Sequence, residues 1–405
     1  MIMEASLLIS LIILTAAAAL SYKDYRVSFV LSIVALIPVL ITGNGAFSAL
    51  IIAVAILNAL SLLVIRENPI KGVDYTLIAL MCIATLLVFI VDNLALMLAL
   101  FVVVSVPTYL LIMISDREMN VDVGIKYVTF MVIATVLFII GAVLLYSSPN
   151  TLIYSIAFLM LITGLSMEVG IAPVHEWVPD VFSSADPIPV SIVASIAKFV
   201  PFIVAYKIIT ATATATIEPL LVVVGLIAAA SMFAGNIGAL TTNEPSRILA
   251  YSTVANMGYI LATFAAITAG KEYVYFAIAG GVLQLFVNSF GKIGYFASIK
   301  NGGTSPITAY LLTFSFIGLP PLMGFWSKLF IIYSLVFSSY LWLAVILVLN
   351  SAISVPYYIR LARLLGREWK YTLANAVVLF ASLAMLITLV PPTWFVDVIS
   401  MMKGV

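Results

Sequence analysis

Fourteen runs of mostly apolar residues, joined by short connectors, constrain this 405-residue chain more than any other feature. A helix that spans a bilayer takes about 20 apolar residues. The runs lie at approximately 3–21, 27–43, 46–65, 74–91, 93–115, 125–147, 152–172, 188–209, 218–239, 247–268, 273–299, 306–335, 340–362 and 371–391. Soluble domains are about a quarter charged, whereas this chain is 9% charged and 64% hydrophobic. The sequence predicts an all-α polytopic membrane protein of about fourteen transmembrane helices. No connector is long enough for a soluble domain, so residues 1–405 read as one membrane unit. Glu4 stands at the start of the first run and Lys23 and Arg26 follow it, the reverse of a signal peptide, so a retained first span is expected.

Lys and Arg in short loops concentrate on the cytoplasmic side. The first, third, fifth, ninth, eleventh and thirteenth connectors hold Lys23, Arg26, Arg66, Lys71, Arg117, Arg247, Lys300, Arg363, Arg367 and Lys370. The seventh is acidic and shares their side. Even connectors hold little beyond Lys271, and Lys403 lies in the tail. The pattern places both termini outside. Tyr22, Trp369 and Trp394 read as interfacial anchors.

A formal net charge of +1 offers no basic surface for nucleic acid. The single Cys82, inside an apolar run, excludes a disulfide and a thiolate metal site. One histidine and no CxxC leave no visible means of holding haem or an iron–sulfur cluster, so no cofactor is expected on this chain.

Charge inside a span costs at least about 2.5 kcal/mol at the bilayer centre, so an interior charge reads as functional. Two stretches carry such charges beside Gly and Pro interruptions. The first is 162–207, with Glu168 and Lys198; the second is FSFIGLPPLMGFWSKLFIIYSL, with Pro320, Pro321 and Lys328. Paired broken helices are the mark of a transporter built from repeats, with its working groups near the midplane. Lys292 is the third interior lysine, with Gln284 and Asn288 about two turns and one turn before it on the same face, a stripe suited to a hydrated interior. Buried lysines and glutamates can exchange protons near pH 7. The alternative for Lys198 and Lys328 is a structural tie to an unwound carbonyl. Lys126 and Lys207 lie nearer span ends, and Lys207 is expected to snorkel to the outer interface. His175, beside Pro173 and Trp177, reads as a local hydrogen-bonding group rather than a relay. Arg360 and Arg363 read as topology charges.

These motifs resemble the antiporter-like, proton-translocating membrane subunits of respiratory complex I, NADH-quinone oxidoreductase, and most closely its subunit N branch. The matching stretches are GLSMEVGIAPVHEWVPDVF with PIPVSIVASIAKF, SRILAYSTVANMGYIL, GLPPLMGFWSKLF and NSAISVPYYIRL, with GIKYVTF a weaker fifth. They follow family order over spans six to thirteen. The resemblance implies two inverted five-helix repeats, helices 4–8 (73–210) and 9–13 (211–366), with broken helices 7 and 12. Three N-terminal helices (1–72) precede them, and helix 14 with the tail (367–405) follows. It further implies a hydrated axis whose working charges are a glutamate on span five and lysines on spans seven and eight, with a lysine or glutamate on span twelve. Lys198 and Lys328 match the span-eight and span-twelve positions, and Lys126 fits a lysine at the start of span six.

Two positions depart from that pattern, with Val102 at the span-five glutamate and Glu168 at the span-seven lysine. Glu168 is expected to pair with Lys198, or alternatively with Lys126. The implied function is a non-redox subunit of a quinone-reducing translocase in a prokaryotic cell membrane. Its electron donor would be NAD(P)H, the reduced deazaflavin F420H2 or ferredoxin, with quinone, flavin and iron–sulfur centres in partner subunits. Those partners include peripheral subunits and further antiporter-like chains. The alternatives are a subunit of a multisubunit sodium/proton antiporter or membrane-bound hydrogenase-type complex, and a structural homologue with reduced pumping.

Overall fold

The computed structural model describes residues 2–42, 45–65, 67–68, 70–116, 120–147, 150–214 and 216–402. Arg66, Arg117 and Lys403, three of the charges used for topology, lie outside the described residues. Each apolar run becomes helical. The first three are α1 (Ile2–Leu20), α2 (Tyr25–Val34) with α3 (Ile37–Thr42), and α4 (Gly45–Leu62). Then come α5 (Val73–Ile90), α6 (Leu94–Leu111) and α7 (Val121–Ser147). The seventh run is divided into α8 (Thr151–Val169) and α9 (Trp177–Ser184). The eighth is α10 (Pro187–Ala194), a 3-10 turn (Ile196–Lys198) and α11 (Phe199–Thr212). There follow α12 (Ile217–Thr241), α13 (Pro245–Ala262) and α14 (Lys271–Lys300). The twelfth run is divided into α15 (Pro306–Ile317) and α16 (Met323–Phe337), ahead of α17 (Leu341–Leu365), α18 (Leu373–Ala384) and a terminal α19 (Thr393–Ser400). Among the described residues ten helical stretches are long and apolar enough to cross a membrane, and shorter apolar helices fill the remaining positions.

Local chemistry sets several boundaries. Asn93, Asn150 and Asp186 accept the first free amides of α6, α8 and α10 through their side chains, supplying partners that a helix start lacks. Gly170 and Gly318 end α8 and α15 in the left-handed conformation (φ 84° and 92°), where a β-carbon is disfavoured. Three features were not read from the sequence: a kink at Ala35–Leu36, an interruption at Ser195 (φ −114°, ψ −95°), and α19. Phe395 of α19 is fully buried and meets Phe286 edge-on, so the segment beyond span fourteen packs into the core.

Helix α14 is the axis, buried at every residue from Ala277 to Ser298. It touches α4, α10, α13, α16 and α18. Contacts between connectors support the sequence count, because odd-numbered ones meet one another. Lys300 pairs with Asp116 at 2.8 Å and also with Asp186, joining the eleventh, fifth and seventh connectors. Across the eleventh and thirteenth, the Thr304 amide donates to the Leu365 carbonyl and the Arg367 amide to the Thr304 carbonyl, and Ser28 Oγ donates to the Gly72 carbonyl beside the third. On the opposite face Glu218, Thr268, Ala269 and Ser338 to Tyr340 line one cleft, bringing the eighth, tenth and twelfth connectors together.

Helices in lipid associate through small residues that let backbones approach. A β-carbon on Gly164 of α8 would lie 2.5 Å from the Phe138 amide nitrogen of α7, and one on Gly141 equally close to that of Leu161. Gly164→Leu is therefore expected to force α7 and α8 apart and destabilise the fold by about 1–3 kcal/mol. A lowered thermal unfolding midpoint in detergent checks it.

A buried cation row as the candidate functional site

The two broken helices solve one electrostatic problem in the same way. A helix ends in carbonyls without intrahelical partners and carries about half a negative charge there. At the end of α8, Gly170 and Ile171 both donate to the Ser166 carbonyl (2.9 and 2.7 Å), and the Glu168 carbonyl remains for another donor. Lys198 Nζ fills that role at 2.9 Å. Its ammonium also lies 5.1 Å from the centre of the Trp177 ring, whose indole N–H donates to the Met167 carbonyl. The lysine reaches this point because the helix is interrupted at Ser195 and re-forms after a 3-10 turn, a geometry that often marks functional positions.

At the end of α15 the arrangement recurs with the donor from the following half-helix. Lys328 Nζ donates to the carbonyls of Phe316 (2.8 Å) and Ile317 (3.0 Å) and to Ser351 Oγ on α17 (2.8 Å). The Tyr259 ring lies 5.2 Å away. A β-carbon on Gly324, in the first turn of α16, would overlap the Ser315 carbonyl. The close approach of the two half-helices that puts Lys328 on its carbonyls depends on that glycine.

Between these ends stands the stripe on α14. Lys292 Nζ donates to the Leu249 carbonyl at 2.5 Å and to Ser252 Oγ, both on α13. Gln284 Nε2 donates to Asn256 Oδ1 (2.5 Å), and Gln284 Oε1 accepts from Oγ of Ser327 (2.5 Å), the residue before Lys328. Asn256 in turn donates to the Ser252 carbonyl (2.6 Å). Polar bonds thus run from Lys292 through Ser252, Asn256 and Gln284 to Ser327. Toward the first repeat, Asn288 Nδ2 donates to the Ala194 carbonyl (2.7 Å), freed by the break in span eight, one turn before Lys198. The three lysines, with Gln284 and Asn288 of α14, are all at most 5% exposed.

Glu168 is 5% exposed. Its Oε1 accepts from Ser105 Oγ on α6, and Oε2 has no protein partner. Glu168 and Lys198 do come together as the sequence suggested, but through the main chain: the ammonium sits on the carbonyl, not the carboxylate. The alternative partner Lys126 is taken by Asp180 of α9, with Arg247 3.9 Å from the same carboxylate, in a half-exposed cluster on the odd-connector face. His175 stands in the linker between α8 and α9, and its ring bonds to none of the other candidates. Burial holds its imidazole below the usual range, against the opposing pull of the Pro173 carbonyl and of Glu176.

Two expectations need correction. Lys207 does not snorkel: it is 1% exposed, and its Nζ donates to the Phe89 (3.0 Å) and Val91 (2.6 Å) carbonyls at the end of α5. Arg360 is more than a topology charge, since its guanidinium donates to the Ala239 (2.8 Å) and Leu240 (3.2 Å) carbonyls at the end of α12. Lys207→Met should leave the α5 carbonyls without this donor and destabilise the protein by about 1–3 kcal/mol. Thermal unfolding in detergent measures it. Asp74, the first residue of the fourth run, is a buried acid that sequence reasoning did not single out, and it accepts from the amides of Gly72 (2.8 Å) and Tyr75 (2.9 Å) at the start of α5. The turn residues Asn68 and Gly72 just before it were the available signal. Among the described residues no three His, Cys, Asp or Glu side chains are grouped to hold a metal ion.

An all-helical bundle with two broken spans, each ending on a buried lysine, defines an antiporter-like membrane subunit. The chain belongs to the family described as NADH:quinone oxidoreductase/Mrp antiporter, transmembrane, which its residues 91–354 match. Subunit N of NADH-quinone oxidoreductase from Flavobacterium psychrophilum is 26% identical over 375 residues, covering 84% of this chain and 82% of that protein. The same subunit from Campylobacter hominis is 27% identical over 297 residues, covering 64% of this chain and 60% of its relative's length. A chain of Thermus thermophilus respiratory complex I with bound aureothin superposes with a TM-score of 0.76 at 22% identity, covering 96% of this chain and 98% of its own. A chain of the Mrp complex from a Dietzia species superposes with a TM-score of 0.81 at 17% identity, covering 98% and 96%.

Proposed function

We propose that this chain is a proton-translocating, non-redox membrane subunit of a complex I-like quinone oxidoreductase. Neighbouring membrane and peripheral subunits would carry the flavin, iron–sulfur and quinone chemistry. The observation that carries the reading is the set of three buried lysines, Lys198, Lys292 and Lys328, with polar bonds running from Lys292 through Ser252, Asn256 and Gln284 to Ser327, the residue before Lys328, and with Asn288 on the Ala194 carbonyl one turn before Lys198. A lysine held on carbonyl and hydroxyl acceptors can lose its proton without losing its place, because the neutral amine keeps two N–H donors for the carbonyls and its lone pair can accept from a hydroxyl. An added charge at one end would favour release at the next lysine by repulsion, which the low-dielectric interior strengthens. Glu168, Lys198, Lys292 and Lys328 carry the proton in this reading. Lys126 stands at the cytoplasmic mouth, and His175 holds the linker of the broken seventh span. The division into repeats 73–210 and 211–366, a prokaryotic cell membrane and external termini belong to the same reading.

A row of ammonium groups repels a sodium ion and suits proton transfer, which favours the proton over the sodium/proton antiporter reading. The test is to isolate the native assembly in mild detergent, identify its subunits and reconstitute it in vesicles. Quinone-dependent proton uptake that needs no sodium supports the proposal. Uptake that requires sodium and proceeds without a redox partner overturns it in favour of the antiporter.

A further inference from the structure

Resting on that reading, the geometry points to a proton input line specific to this chain: we propose that the hydroxyls of Tyr127, Thr108 and Ser105 deliver protons to Glu168, in place of the carboxylate that Val102 lacks. Ser105 lies three residues after Val102 on α6, on the same helix face. Serine hydroxyls inside membrane helices commonly turn back onto their own carbonyls three or four residues earlier. Ser105 instead donates across to Glu168 Oε1 on α8. Thr108, one turn nearer the odd-connector face, bonds to the Ser105 carbonyl (2.6 Å), and its Oγ1 meets the Tyr127 hydroxyl at 3.0 Å. Tyr127 lies in the second turn of α7, which starts at that face, next in sequence to Lys126 of the half-exposed Lys126–Asp180 pair. The line therefore leads from the connector face inward. Ser105, Thr108 and Tyr127 are 2%, 1% and 1% exposed, and Trp177 packs edge-on against Tyr127 at 5.2 Å, walling the path.

Proton bookkeeping closes along this line. Each hydroxyl oxygen accepts one proton as it releases its own: Tyr127 takes one from water at the odd-connector face and gives its own to Thr108, Thr108 gives its own to Ser105 and Ser105 gives its own to the carboxylate. The middle transfer requires the Thr108 hydroxyl to turn from the Ser105 carbonyl to its Oγ. Glu168 becomes the neutral acid and the hydroxyls then reorient. Oε2, with no protein partner, is the atom left to pass a proton on toward Lys198, whose ammonium already sits on the carbonyl of residue 168. The other ionisable groups around this carboxylate are Lys198, from the 3-10 turn, and the phenols of Tyr127 on α7 and Tyr109 on α6.

The experiment uses the whole native assembly in vesicles, with Ser105→Ala, Tyr127→Phe and the control Lys328→Ala. Each hydroxyl deletion should slow redox-driven uptake by at least about tenfold, a conservative figure beside the roughly 10²–10⁴-fold that a positioned proton donor contributes. Ser105→Thr should restore it. The infrared carbonyl band of protonated Glu168, assigned by its absence in Glu168→Gln, should shift in Ser105→Ala and not in Ser105→Thr. Wild-type uptake in both Ser105→Ala and Tyr127→Phe, while Lys328→Ala still stops it, would overturn the input line and leave the translocation reading standing. Wild-type uptake in Lys328→Ala as well would remove that reading itself.

Discussion

Lys328→Ala is expected to lower redox-driven proton translocation by at least about tenfold, in an assembly that retains all its subunits. The residue combines two roles that a second substitution separates. Its ammonium neutralises the carbonyl end of α15 through Phe316 and Ile317 and is bonded to Ser351. Removing it leaves those acceptors short of a donor but also removes a buried charge, and the two changes oppose each other in the fold. Ser351 Oγ still donates to the Ile317 carbonyl at 3.0 Å, so the break keeps one of its ties. Lys328→Arg preserves positive charge and donors, yet a guanidinium does not give up its proton in a protein. If Lys328 were only a structural tie, the arginine variant would translocate at close to the wild-type rate and the alanine variant would fall apart. If it hands on protons, both lose translocation and the arginine variant remains the better folded. Dye-reported acidification in vesicles, alongside subunit content after purification, separates the two.

The lysines that form the row were visible in the sequence because hydropathy reports depth. Lys198, Lys292 and Lys328 each lie well inside an apolar run, and all three are buried. What hydropathy does not report is the neighbour across the helix face. Lys207 lies near the end of its run and was read as reaching the interface, but the end of α5 stands beside it at that depth and takes the charge inward. Asp74 opens its run, so depth alone gave no reason to single it out, whereas three donors, two of them amides of its own turn, hold it buried. The breaks at Gly170 and Gly318 carry Gly and Pro and were legible. The one at Ser195 follows no such residue and is held from outside by Asn58, whose amide donates to Ser195 Oγ at 2.9 Å. A tertiary contact of that kind leaves no local trace.

Lys198 sits on the C-terminus of α8, Lys328 on that of α15, Lys207 on that of α5 and Arg360 on that of α12. Such an end offers a partial negative charge and free acceptors at no cost in side chains, worth up to about 2 kcal/mol when partly buried. A carboxylate partner would hold a lysine far more firmly. For a group meant to release a proton, the weaker acceptor is the better one, since strong pairing favours the charged form. Lys198 and Lys328 occupy breaks within the membrane, beside the polar row. Lys207 and Arg360 occupy ends at the faces, where the same bond simply ties one helix to another.

Glu168→Gln is expected to cut translocation by about tenfold or more while leaving the fold intact. The substitution is nearly isosteric, its amide oxygen still accepts from Ser105, and Lys198 binds the main-chain carbonyl of residue 168, which does not change. What disappears is the ionisable side chain at the end of α8. A merely structural Glu168 would predict the opposite result: replacing a buried acid with a neutral amide would leave translocation alone and raise stability, because the desolvated Oε2 would no longer bear charge. Wild-type uptake in Glu168→Gln would therefore assign the first repeat a scaffolding role and confine proton transfer to Lys292 and Lys328. A second variant tests the departure from the family pattern directly. Val102→Glu combined with Glu168→Lys restores the carboxylate to α6 and the ammonium to α8, one turn from where Ser105 now meets Glu168. If the two arrangements are equivalent solutions for the input half, the double variant translocates well above Glu168→Gln, and Ser105→Ala no longer matters in that background. If uptake stays as low as in the single variant, the polar surroundings built by Ser105, Thr108 and Tyr127 serve a carboxylate at 168 and no other charge.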